Sequence, residues 1–205
     1  AEARAYLEQH AKPLDFSGFR VPSSETFEQL LSKIKHSAPG PDGLPYSAWQ
    51  KSGYAGCRTL ALLLYHSLSG RCMHRTFNCS ITAFLPKGEE DDDTLTAVHR
   101  KAADTRLLNM KNTECKLVTS SMNRNSRSTL TNGLCRLQRG FVPGRQLLEN
   151  VVDIDAFAHA FALAATPGDV PIMVLYDFAA AFPSVAHSYL FLTLAAMHFP
   201  AGYIN

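Results

Sequence analysis

The stretch Ile172-Met173-Val174-Leu175-Tyr176-Asp177 limits what this chain can fold into more than any other segment. Five apolar residues in succession, after the turn-forming Thr166-Pro167-Gly168-Asp169, have the length and unbroken hydrophobicity of a buried strand. Asp177 closes the run, so its carboxylate is expected at the strand's C-terminal edge. Acids are disfavoured inside such strands, and one at the end usually has a task. Three tasks fit: binding a hard divalent cation, accepting a phosphoryl group, or capping the following turn or helix.

The elements around this strand mix helices and strands. Ser23 or Ser24 can cap a helix that carries Phe27, Leu30, Leu31 and Ile34 on one face and ends near His36, before Pro39-Gly40-Pro41-Asp42-Gly43. A second helix fits Gly56 to Ser69, with Leu60, Leu63, Leu64 and Leu68 inward and Gly70 as its stop. Ile81 to Pro86 and Thr105 to Met110 are expected as two strands around an exposed acidic connection. Asn112 to Thr131 is predicted as a polar helix, Gln138 to Gln146 as a loop rich in Gly and Arg. Leu147 to Ala165 follows as a helix with Val151, Ile154, Ala158 and Phe161 on one face, and Val185 to His198 as the last one. The fold class is α+β, with no linker that separates independent domains.

Charge and cysteine content narrow the setting. The formal net charge is +2, too small to announce a nucleic-acid binder, but the distribution is uneven. Acid gathers in Glu89-Glu90-Asp91-Asp92-Asp93, while Arg124, Arg127, Arg136, Arg139 and Arg145 form an acid-poor stretch; this is either a solvated helix face or a phosphate-neutralising stripe. Five cysteines without a CxxC pair are expected as reduced thiols of an intracellular protein, nuclear or cytoplasmic and not secreted. The grouping Cys72, His74, Cys79 has no zinc-module spacing. There is no apolar run of membrane-spanning length, and Ala1-Glu2-Ala3-Arg4 does not resemble a signal peptide. An Ala start is expected of a chain cut from something longer.

Five segments together resemble the reverse-transcriptase domain of LINE-type (non-LTR) retrotransposons, in that family's order across residues 24–190. They are Ser37-Ala38-Pro39-Gly40-Pro41-Asp42-Gly43-Leu44-Pro45, Phe84-Leu85-Pro86-Lys87-Gly88, Thr105-Arg106-Leu107-Leu108-Asn109-Met110-Lys111-Asn112-Thr113-Glu114-Cys115-Lys116, Gln138-Arg139-Gly140-Phe141-Val142-Pro143-Gly144-Arg145-Gln146, and Asp177-Phe178-Ala179-Ala180-Ala181-Phe182-Pro183-Ser184-Val185. Pro-Gly-Pro-Asp-Gly is first of all turn chemistry, and each segment alone is a weak signal. Their order and number carry the resemblance.

The resemblance implies the fingers and the first part of the palm of a right-hand polymerase, incomplete: residues 1–165 as fingers with upstream helices, 166–205 as the start of the palm. It implies RNA-directed DNA synthesis, with RNA template, DNA primer and deoxynucleoside triphosphates as partners and magnesium (alternatively manganese) as cofactor. Carried over residue by residue, Asp177 becomes the catalytic metal carboxylate and the backbone carbonyl of Phe178 a further metal ligand. Phe182 becomes the ring that excludes a ribose 2′-hydroxyl, where a reading from the residues alone makes it ordinary core. Lys87 and Arg106 would close over the triphosphate, whose charge must be neutralised as the α-phosphorus is attacked. Arg139 and Arg145 would lie near template phosphates, which position without specifying sequence.

Departures from the family pattern are Leu107 in place of Pro, Ala180 in place of a polar residue, and the acidic run between Lys87 and Arg106, expected to project into solvent. They are what an old, degenerating or domesticated element copy would show. Only 28 residues follow Asp177, without the family's later Gly-x-Pro-Gln-Gly loop or aromatic-x-Asp-Asp hairpin, so residues 1–205 are expected to be inactive alone. The rival readings are a non-catalytic RNA- or protein-binding remnant and a group II intron-type maturase. A phospho-accepting Asp177 would need a Gly- and acid-rich receiver pattern that the sequence lacks.

Overall fold

A computed structural model describes residues 2–91, 93–94, 96–166, 168–178 and 181–204. Expectations that fall on Ala1, Asp92, Pro167, Ala179 and Ala180 lie outside the described residues. The elements run α1 (Glu2–His10), α2 (Ser24–Leu31), α3 (Tyr46–Lys51), α4 (Gly53–Leu68), β1 (Ser80–Pro86), β2 (Thr105–Lys111), α5 (Thr113–Gly133), α6 (Leu148–Ala164), α7 (His187–Ala196) and α8 (Ala201–Ile204). The architecture is thus mixed, many helices with one small antiparallel sheet, which agrees with the α+β class. No helix among the described residues is long and apolar enough to cross a membrane.

The chain forms two compact units, Arg20–Asn125 and Ala1–Phe19 with Ser126–Ile204. In the first, α2 and α4 pack along their apolar stripes: Phe27 and Leu31 meet the face of Cys57, Leu60 and Leu64, all buried. Each fully buried side chain of this size favours folding by about 1.5–3 kcal/mol. Leu30 and Ile34 are only half-buried, and the helix stops at Leu31, earlier than the expected end near His36. Ser32 explains the stop, because its hydroxyl turns back to the Gln29 carbonyl (3.0 Å) and Lys33 N–H bonds Leu30 in a tighter turn. Gly70, at φ 67°, ends α4 in the left-handed conformation that a C-terminal glycine supplies. Strands β1 and β2 pair antiparallel with Phe84 opposite Leu107 and Leu85 opposite Arg106.

The second unit rests on aromatic contacts. Phe16 meets Phe199 at 4.8 Å between ring centroids, Phe19 meets Tyr203 at 5.5 Å, and the Tyr203 hydroxyl pairs with buried Ser126. Leu14 is buried, and its N–H donates to the Met197 carbonyl at 3.0 Å.

One expectation is corrected here. Residues 172–176 are not a buried strand: they belong to no sheet, and Ile172, Leu175 and Tyr176 are 75, 75 and 88% exposed. A strand hidden on both faces needs paired edges and covering layers, and the sheet among the described residues contains only β1 and β2. The α6 face that carries Val151, Ile154 and Phe161 is likewise exposed. Ile154, Phe157 and Phe161 share with Ile172, Met173 and Leu175 one open apolar groove of about 580 Å³. The acidic run is exposed at Glu89, Glu90 and Asp91, as expected, and of its described residues only Asp93 turns inward, as set out below.

Candidate nucleotide-binding hairpin and its surroundings

The β1–β2 hairpin brings Lys87 and Arg106 together. Lys87 follows β1 directly, and its N–H donates to the Asp104 carbonyl at 2.8 Å, so pairing extends one residue beyond Pro86–Thr105. Lys87 is therefore the diagonal neighbour of Arg106 on the same hairpin face, a relation that places residues about 7–8 Å apart. Both are exposed. The Lys87 ammonium donates to the Ala103 carbonyl at 2.8 Å, which holds it over the hairpin's closing turn.

Arg100, a residue that sequence reasoning passed over, organises the connection. Its side chain is 2% exposed. Its guanidinium donates to both Asp93 carboxylate oxygens (2.6 and 2.5 Å) and to the carbonyls of Lys87 (3.2 Å), Gly88 (3.1 Å) and His99 (2.8 Å), with Glu90 at 3.6 Å. The Arg100 hydrogen bonds, with a further one from the Glu90 N–H, hold the Asp93 carboxyl down to about 2. Asp93 thus neutralises a buried cation, while Glu89, Glu90 and Asp91 stay exposed to solvent. The only signal in the sequence was the basic cluster His99-Arg100-Lys101 in the connection that carries the acidic run.

The Pro39-Gly40-Pro41-Asp42-Gly43 turn docks on the junction of β2 and α5. Gly43 N–H closes the turn on Gly40 at 3.0 Å, and Asp42 N–H donates to the side chain of buried Asn112 at 3.3 Å. A Cβ at Gly40 would collide with the Asn112 backbone and side chain, so glycine is required by close approach. Thr113, fully buried, donates to the Leu44 carbonyl and accepts from Trp49 Nε1, both at 2.9 Å. Beside this junction Glu114 Oε2 is buried without a hydrogen-bond partner. Burial pushes the Glu114 carboxyl up, and the charge of Asp42 adds to the rise.

In the other unit Asp177, Phe178 and Phe182 are exposed, the two rings 80 and 89% so. Asp177 Oδ1 accepts the Phe178 N–H at 2.9 Å, a local turn contact. Among the described residues no three of His, Cys, Asp and Glu converge as a metal site. One carboxylate cannot clamp two cations about 3.5–4 Å apart, so the donor set present does not fit a two-metal centre. The cysteines are all unpaired, and burial raises the thiols of Cys57 and Cys115.

Arg139 and Arg145 are engaged internally. Arg139 pairs with Glu149 (3.1 Å) and Asp153 (2.7 Å) and donates to Asn150 (3.0 Å), which ties the loop to the start of α6. Arg145 donates to four carbonyls at and beyond the end of α5: Thr131 (2.8 Å), Leu134 (3.2 Å), Cys135 (2.5 Å) and Gln138 (2.8 Å). Phe141 between them adopts φ 61° with its ring wholly exposed.

A scan against models of known protein families finds no match to this chain, and a search of curated proteins finds none either.

Proposed function

We propose that the chain is the fingers and early palm of an RNA-directed DNA polymerase, with Lys87 and Arg106 as the cationic pair that meets a deoxynucleoside triphosphate. The observation that carries this reading is the packing of three motif-bearing segments on one another. The 84–88 segment pairs with 105–111, and the 37–45 turn seats on Asn112 and Thr113. Segments 70 residues apart acquire one shared environment, and its hairpin presents two same-face cations. A triphosphate needs that kind of preset positive charge. Asp177 is the metal carboxylate of the same reading, Phe178 the carbonyl beside it and Phe182 the sugar-facing ring. The partners of this reading are RNA template and DNA primer, and it calls for magnesium or manganese, which Asp177 alone does not suffice to hold.

The test is binding of a fluorescent deoxynucleoside triphosphate in magnesium buffer to wild type, to K87Q/R106Q and to the control K51Q/R58Q. Two exposed charge contacts predict a loss of about five- to thirtyfold for the hairpin variant, with the control near wild type. No difference between the two variants would overturn the clamp. The alternative is a non-catalytic binding role. Magnesium-dependent primer extension by residues 1–205 that is lost in D177A would rule it out.

A further inference from the structure

Two segments of the first unit run side by side without a carboxylate in either. Residues 32–38 (Ser-Lys-Ile-Lys-His-Ser-Ala) leave α2, and residues 115–125 form the front of α5 after Glu114. Their contacts fix the alignment. At one end Arg124 donates to the Gln29 side chain at 3.4 Å, and at the other the Lys116 ammonium donates to the Ala38 carbonyl at 3.0 Å. Between these ties α5 advances eight residues, about 12 Å. Lys33, Lys35, His36 and Arg124 are exposed, and Lys116 is half-buried. None of Lys33, Lys35, Lys116 and Arg124 forms an ion pair with a described residue. Ser120 and Asn123 add exposed neutral donors on the same stretch of helix, whereas the Thr119 hydroxyl donates back to the Cys115 and Lys116 carbonyls. On a chain of net charge +2 this is a strong local concentration of positive charge.

We infer that this strip binds the sugar–phosphate backbone of a nucleic-acid strand through charge, without base recognition. The length and the donors fit: about 12 Å covers a short run of adjacent phosphates on one strand. Lysine, arginine and hydroxyl donors are what positioning contacts to phosphate use. Arg139 and Arg145, in contrast, are saturated by acids and carbonyls of their own unit. The inference deepens the reading above, on which a nucleic acid is the partner. It can fail alone, because its variants leave Lys87 and Arg106 untouched.

The experiment is fluorescence anisotropy of a labelled 20-nucleotide RNA of mixed sequence across a salt series. It compares wild type, K33Q/K35Q/R124Q and the equal-charge control K51Q/R58Q/R75Q. The strip variant is expected to lose at least about tenfold in affinity at low salt, and its slope of log affinity on log salt to flatten by about 2, near 0.7 per lost contact. The control is expected to stay within about threefold of wild type, since only charges near the strand count strongly. Equal losses in both variants would reduce the effect to net charge and overturn the strip, as would an unchanged slope or no RNA binding by wild type. Displacement of RNA by polyglutamate of equal charge as readily as by unlabelled RNA would also overturn it, in favour of an acidic protein partner. Should the triple variant melt early, K33Q/K35Q, confined to an exposed loop, must still flatten the slope by about 1.4.

Discussion

Replacing Arg145 separates a structural guanidinium from a template contact. The last carbonyls of a helix lack partners within it, and a cation there also meets the negative end of the helix dipole. Arg145 answers both needs for α5, through its bonds to Thr131, Leu134, Cys135 and Gln138. A hydrogen bond involving a charged group contributes about 1.5–3 kcal/mol, but four bonds from one half-buried group are not additive, and freed carbonyls at a helix end can take water. Arg145→Ala is therefore expected to cost about 2–3 kcal/mol in all. For a chain of this size that lowers the melting temperature by roughly 5–10 °C. Arg145→Lys should recover less than half, because one ammonium cannot span acceptors contributed over eight residues of loop and helix end. The assay is thermal melting followed by circular dichroism, paired with RNA anisotropy. A melting temperature within about 2 °C of wild type, together with a clear loss of RNA affinity, would refute the structural role and return Arg145 to the template.

Three other perturbations test neighbouring claims. Glu114→Gln should stabilise the protein by about 0.5–1 kcal/mol at pH 7, a value already discounted for partial solvent screening. Because the folded carboxyl titrates above its unfolded value, the wild-type penalty grows as pH rises from the unfolded pKa to the folded one, is full above that and is absent below the unfolded one, so denaturant melts of the two proteins should converge below about pH 4. Phe182→Ala should change the melting temperature by less than about 2 °C, since an 89% exposed ring leaves no cavity behind; a loss of about 3–5 kcal/mol would instead make it core. Arg100→Ala should release the 88–104 connection, read as faster limited proteolysis there at pH 7. In wild type the same release should come only on acidification from about pH 4 towards 2, where Asp93, depressed in the folded state, finally takes a proton.

What the sequence disclosed and what it withheld divide along physical lines. Local periodicity announced α2, α4, α5 and the hairpin, because Phe27 with Leu31, or Leu60 with Leu64, repeat at the spacing of a helix face whatever covers them. The glycine at 70 likewise announced its own left-handed cap. Interactions between distant residues were not legible. Nothing about Arg100 in the string of letters says that Asp93 will fold back on it, and nothing in Gly40 says that Asn112 will press on it. The apolar run 172–176 failed for a related reason. Hydrophobicity reports that a segment favours burial, but burial also needs neighbouring strands to satisfy its backbone, and those lie outside local sequence.

The same division explains why the basic residues changed places. Arg139 and Arg145 stood out because they sit in a glycine-rich loop, yet the conformation such a loop adopts must itself be held, and the nearest guanidiniums hold it. Lys33 and Lys35 did not stand out, because Glu25 and Glu28, five to ten residues earlier, dilute the charge of a window drawn along the chain. Folding brings a second segment to the lysines. The turn after α2 lays them beside the acid-free front of α5, tied by Ala38 to Lys116 and by Gln29 to Arg124. A phosphate-binding surface is a property of distances in space. Here the two segments that make it are separated by about 80 residues of intervening chain, so no scan of linear charge would join them.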